Sequence, residues 1–247
     1  MSQAALPVRN ESRHELLPPG RKLVGFLLEL RKTILSLLLG IGIGTLAFYF
    51  LSPAIFTAIQ AHLNQKLAFF TVAEPFLAHV RLALFTTLFV LMPWIVTCFW
   101  RAMARPFALS RKTQIAFILF TCLLFYGGAL FCYFVTLPFG ITFLLGFESE
   151  QIQPVISVGR FVSFVTAFVL AFGLIFELPI FMIFFARTGV CPRATFAKNR
   201  RYAVLAISIV AALLTPTPDV VNMLLMGGPL YLLYETGIVI LKLMNIE

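Results

Sequence analysis

Residues 160–186 read RFVSFVTAFVLAFGLIFELPIFMIFFA, a run with a single acid, Glu177, and one cation, Arg160, at its edge. A helix needs about 20 apolar residues to cross about 30 Å of hydrocarbon, so this stretch is long enough to span a bilayer. The rest of the chain has the same character. Of 247 residues, 60% are hydrophobic and 12% are charged, whereas a soluble domain carries about a quarter charged residues. The 28 Phe residues bring more apolar surface than one water-soluble core of this size can hide. An ordinary cytosolic globule, a disordered chain and a disulfide scaffold are excluded.

Working outward, six spans are expected, at about 33–51, 82–100, 115–137, 160–186, 203–214 and 219–241, each judged against the ~20-residue requirement. The expected fold is an all-α polytopic membrane protein. Its organisation is a polar N-terminal segment, 1–24, followed by one six-helix transmembrane domain, 25–247. The N-terminal region holds Pro7, Pro18 and Pro19 and is too long and mixed for the n-region of a cleaved signal. No small-x-small site follows the first apolar run, which therefore stays as a helix. Thr215, Pro216, Thr217 and Pro218 cut the fifth run to 203–214, about 18 Å of helix, which must either thin the bilayer locally or leave its end in a wet pocket. Gly227, Gly228 and Pro229 are expected to break the middle of the sixth.

The net charge is +9. A basic balance raises nucleic acid as a partner, but here the cations sit in short blocks between apolar runs and set orientation instead. Six lie in the N-terminal segment (Arg9, Arg13, Arg21, Lys22, Arg31, Lys32) and four in the second loop (Arg101, Arg105, Arg111, Lys112). Five lie in the fourth loop (Arg187, Arg193, Lys198, Arg200, Arg201), and Lys242 is at the C-terminus. The other side has only Lys66, Arg81 and Arg160. Both termini are thus expected in the cytoplasm. In the first external loop, Pro53 to Asn64 is a weakly amphipathic stretch suited to the membrane surface.

Enzyme signatures are absent. His14, His62 and His79 have no HExxH spacing, no GxSxG or P-loop occurs, and Asp219 is the one Asp, which removes a paired-aspartate protease. Cys98, Cys122, Cys132 and Cys191 form no CxxC pair and are read as small apolar packing residues. No catalytic residue, cofactor or metal is expected.

Glu177 is the outlier. It lies nine residues from the basic end of its span, about 13 Å deep. Bilayer-core carboxylates face a cavity or a partner, the alternative being a neutral Glu hydrogen-bonded to a neighbouring helix. Pro179 kinks the same place, which suits a concave, solvated surface. Glu29 and Arg31, in LLELRK, form either a juxtamembrane ion pair with snorkelling cations or a cytoplasmic carboxylate able to receive a guanidinium. Gly40 and Gly44 give a GxxxG face on the first helix. Thr217, Pro218 and Asp219 make a good helix start. Glu235 shares a face with Tyr231 and is either a hydrogen-bonded carboxylate or an interfacial contact.

The segments GFLLELRKTIL (25–35), GLIFELP (173–179), NRRYAVLAISIVAALLTPTPD (199–219) and PLYLLYE (229–235), in this order, resemble the TatC family, the multi-spanning core of the twin-arginine protein translocase. EPF (74–76) and LPFGITFLLGF (137–147) fall where similar segments occur. The resemblance implies a concave, glove-like bundle with short fifth and sixth helices and both termini cytoplasmic, in the inner (plasma) membrane or an organellar one. It implies recognition of Arg-Arg signal peptides of folded proteins at Leu28, Glu29 and Arg31, Glu177 on the concave face, and transport driven by the protonmotive force. It also implies TatA and TatB type single-helix partners near Thr215, Asn222 and Glu235, and a homo-oligomer within the complex, without nucleic acid.

Three places depart from the family pattern: Phe26 stands where the family has His, 105–114 (RPFALSRKTQ) has no acid, and Met223, beside Asn222, stands where the family has a Gln. A degenerate TatC-like scaffold without signal binding is therefore one alternative. A small proton-coupled carrier or channel using Glu177 is the other.

Overall fold

The computed structural model describes residues 19–60, 67–104, 107, 109–146, 155–214 and 220–244, without the side chains of 19–30, 32, 144, 145, 214, 221, 222 and 225. Ten helices appear among them. They are α1 (Pro19–Tyr49), α2 (Ser52–Gln60), α3 (Glu74–Ala104), α4 (Arg111–Phe131), α5 (Leu137–Leu145), α6 (Val158–Phe176), α7 (Leu178–Arg187), α8 (Arg193–Lys198), α9 (Arg200–Leu214) and α10 (Val220–Leu243). Two short strands, β1 (Leu67–Ala68) and β2 (Ile156–Ser157), pair in parallel.

Among the described residues, three stretches are long and apolar enough to cross a membrane: Glu74–Ala104, Arg111–Phe143 and Val158–Arg187. A fourth arises if the bent pair Thr33–Tyr49 and Ser52–Gln60, 71° apart, is one span. The last two expected spans fall on α9 and α10. The chain is an all-α, polytopic membrane protein.

Residues 1–40 and 41–247 are two compact units. In the first, α1 already begins at Pro19, before the expected start of the first span, and Ile34, Leu35, Leu38 and Leu39 are exposed as a lipid-facing side is.

In the second unit, prolines shape the helices. Pro93, inside α3, has no N–H for the carbonyl of Phe89. That oxygen is instead taken by the Tyr126 hydroxyl of α4, which donates to it at 2.9 Å. Pro138 stands at the start of α5, and the chain crosses to it from α4 through one π turn, Cys132–Thr136, closed by the Leu137 amide on the Cys132 carbonyl. Pro179 separates α6 from α7, with Glu177 as the one residue between them.

Pro229 breaks nothing. Contrary to the expected interruption, α10 runs unbroken over 24 residues with Pro229 inside it, about 36 Å of helix. Proline inside a membrane-spanning helix is tolerated where neighbouring groups satisfy the freed carbonyl, and α3 likewise continues through Pro93. The sixth helix is therefore not short. The fifth is, with 15 residues in α9, about 22 Å.

Small residues set the closest approach. A Cβ on Gly128 of α4 would lie 2.6 Å from Phe176 Cγ and 2.8 Å from the Phe172 carbonyl oxygen, and one on Gly173 would lie 2.7 Å from the Phe125 ring. The α4–α6 interface thus depends on two bare glycines facing each other's aromatic neighbours. Gly44 lets α1 reach Thr87 of α3 in the same manner.

Candidate functional site

Glu177 caps α6 and precedes α7, and this break turns its side chain into the protein. It is 3% exposed, and neither carboxylate oxygen has a hydrogen-bond partner. The Thr121 hydroxyl and the Phe125 backbone act on its charge, but neither reaches it with ordinary hydrogen-bond geometry. Thr121 already receives the Trp100 indole N–H at 3.0 Å. Trp100 stacks on Phe117, ring centroids 4.6 Å apart, and meets Phe184 edge-on at 5.3 Å. The kink expected at Pro179 is present. The carboxyl expected to face solvent is instead buried among the described residues, near the close packing of α4 on α6 at Gly128 and Gly173.

An acid in that position has few options. Apolar surroundings make an unpartnered carboxylate costly, so the group can hold a proton or receive a donor brought to it by movement or by an incoming group.

Of the remaining site residues, Leu28, Glu29, Arg31 and Glu235 fall on the basic side, whereas Thr215 follows the last residue of α9 and Asn222 lies in the first turn of α10, away from Arg200 and Lys242. Leu28 and Glu29 lie on α1, their side chains outside the described residues; Arg31 of α1 is exposed. Thr215 lies outside the described residues, and of Asn222 only its helical backbone on α10 is described. Glu235 is settled as a bonded carboxylate. It pairs with Arg200 of α9 at 3.0 Å and accepts the Tyr231 hydroxyl at 2.9 Å. Tyr234 donates to the Phe196 carbonyl of α8 at 2.8 Å. The NRRY and LYE segments, read separately in the sequence, are one cluster.

A further constellation escaped the sequence reading. Glu74 begins α3, and its carboxylate accepts from the Phe70 amide at 2.8 Å, the Gly159 amide at 2.9 Å and the Ser157 hydroxyl. Ser157 caps α6 in turn. The β1–β2 pair, Leu67 with Ile156 and Ala68 with Ser157, lies beside it. One carboxylate therefore joins two loops and two helix starts. The only trace of it in the sequence is the acid–proline pair at 74–75.

Comparison with known proteins places these features. The family model for TatC, the Sec-independent protein translocase protein, matches residues 25–229. The TatC protein of Carboxydothermus hydrogenoformans is 34% identical over 220 residues, covering 86% of this chain and 89% of that one. That of Desulforapulum autotrophicum is 32% identical over 235 residues, covering 92% and 86%. A crystal structure of a twin arginine translocase receptor, TatC in DDM, superposes with a TM-score of 0.77 at 30% identity, covering 87% of this chain and 98% of the other. The chain belongs to the TatC family: it is a multi-pass inner-membrane subunit of the Sec-independent protein translocase, a transport component and not an enzyme.

Proposed function

We infer that this subunit recognises Arg-Arg signal peptides of folded proteins through the basic end of α1, with Glu29 as the acceptor and Leu28 and Arg31 beside it. The observation that carries the reading is the engagement of Glu235. Its carboxylate is taken by Arg200 and Tyr231, which leaves Glu29 as the one other acid in the expected cytoplasmic segments between residues 25 and 244. A carboxylate and a guanidinium pair bidentately, which selects Arg over Lys. Residues 1–24 act as a polar cytoplasmic segment, and 25–247 form a single transmembrane domain with both termini cytoplasmic.

The same reading gives the subunit TatA and TatB type single-helix partners, docking near Thr215, Asn222 and the Glu235 cluster, and a homo-oligomer as the core of the assembly. The protonmotive force drives transport, and no step of hydrolysis is needed.

Photo-cross-linking of an Arg-Arg signal peptide to the full-length protein in membranes tests the assignment. Glu29→Gln lowers the yield at least about tenfold, the cost of one lost charge-assisted contact, while Glu29→Asp keeps part of it. Undiminished cross-linking in Glu29→Gln sinks the assigned site and favours a scaffold without signal binding. The unpartnered Glu177 carboxyl favours one other reading, a proton-coupled carrier. Solute flux into liposomes holding this chain alone would support that reading.

A further inference from the structure

A cleft of about 380 Å³ opens between α4, α7 and α10. Along α4 its wall runs from Thr113 to Leu124, with Phe120 between, and along α7 from Pro179 to Arg187. These positions repeat every three or four residues, so each helix offers one face to the cleft. From Thr113 to Leu124 the cleft is about 16 Å deep, half of the ~30 Å of hydrocarbon and so the depth of one leaflet. Spread over that depth, and with the ~1.4 Å radius of a water molecule added on each side, the volume makes a channel about 8 Å across, narrower than the 10–12 Å that a helix with side chains requires. A transmembrane helix is too wide for it. A single acyl chain is not.

The mouth is basic. Arg187 lines it together with Thr113, Arg111 and Lys112 open α4, and Lys242 lies in the last turn of α10. No acid occurs in 101–146, in α7 or in 236–244, and no carboxylate pairs with Arg187 among the described residues. Away from Arg187, the α7 wall continues through Ile183 to Pro179. An exposed guanidinium over an apolar slot one leaflet deep matches a ligand with an anionic head and a hydrocarbon tail.

We propose that this cleft binds an anionic phospholipid from the leaflet on the basic side, one acyl chain lying between α4, α7 and α10 and the phosphate held by Arg187. The site is distinct from the signal-peptide reading and does not depend on it.

Native mass spectrometry of the full-length protein, released from detergent after incubation with phosphatidylglycerol or phosphatidylcholine, provides the test. One phosphatidylglycerol is retained per chain and phosphatidylcholine about fivefold less, the discrimination that one basic residue near a membrane surface supplies. Arg187→Gln brings phosphatidylglycerol down to the phosphatidylcholine level, Arg187→Lys largely restores it, and Ala116→Phe, which fills the cleft, removes both lipids. A thermal melt of each variant separates lost binding from lost fold, and if Ala116→Phe unfolds, the Arg187 pair decides. Equal retention of the two lipids by the unchanged protein overturns the proposal, as does unchanged retention in Arg187→Gln. So does a Phe120→Cys variant that cross-links in membranes to a single-helix protein and not to a photoactivatable phospholipid.

Discussion

Glu177 sits where three local constraints meet. Pro179 ends the regular hydrogen bonding of α6, Gly173 brings Phe125 against the helix one turn earlier, and the Trp100 indole already donates to Thr121. The result is a carboxyl group packed as though it were apolar. Replacing an unpartnered buried polar group by an apolar one of similar shape is neutral or stabilising. Glu177→Met is therefore expected to raise stability in detergent by about 1–2 kcal/mol, read as a higher melting midpoint, while export of a folded reporter falls. A lower midpoint would show that the carboxyl is structurally satisfied after all. The position was legible in the sequence because one acid in an apolar run needs no alignment to notice. Its enclosure was not, since that depends on Gly128 and Gly173 on two separate helices. The Tyr126 bond to the Phe89 carbonyl was hidden for the same reason, although Pro93 announces that one carbonyl of α3 must look elsewhere.

At the scale of the helix, the spans follow from hydropathy, because lipid demands a closed hydrogen-bonded segment of fixed length. The failures are instructive. A Gly-Gly-Pro triplet in water ends a helix; α10 continues through Pro229 as α3 does through Pro93, as helices in lipid tolerate proline. The early start of α1 at Pro19 was missed because its first turns are too mixed in polarity to show a period. Interfaces between helices carry a sharper expectation. Gly173→Ala drives a methyl into the buried Phe125 ring and costs about 1–3 kcal/mol, whereas Gly127→Ala meets open space and gains a few tenths to about 1 kcal/mol of helix propensity. Thermal unfolding of the two variants side by side makes the comparison, and equal effects would rule out the close α4–α6 approach.

Among the described residues, clusters of polar ties lie at both ends of the helices, with single bonds such as Tyr126 to Phe89 and Trp100 to Thr121 between them. At the basic end Arg200, Glu235, Tyr231 and Tyr234 join α8, α9 and α10. At the other, Glu74 joins α3 to α6, and Arg81 adds a 2.6 Å bond to Ser163. Glu74→Ala is expected to speed hydrogen exchange of the Phe70 and Gly159 amides at least about tenfold, since both lose their acceptor and open locally; unchanged exchange would remove Glu74 from that role. Nothing in the sequence ties residue 74 to 157–159, because Glu74 and Ser157 are 83 residues apart and meet only in the folded chain. The family motifs made the architecture readable; this knot had to be seen. It also has a mechanical meaning. With its outer end riveted, α3 becomes a lever about 46 Å long, so a tilt of about 5° displaces Ala104 by about 4 Å and Leu82 by only about 1 Å.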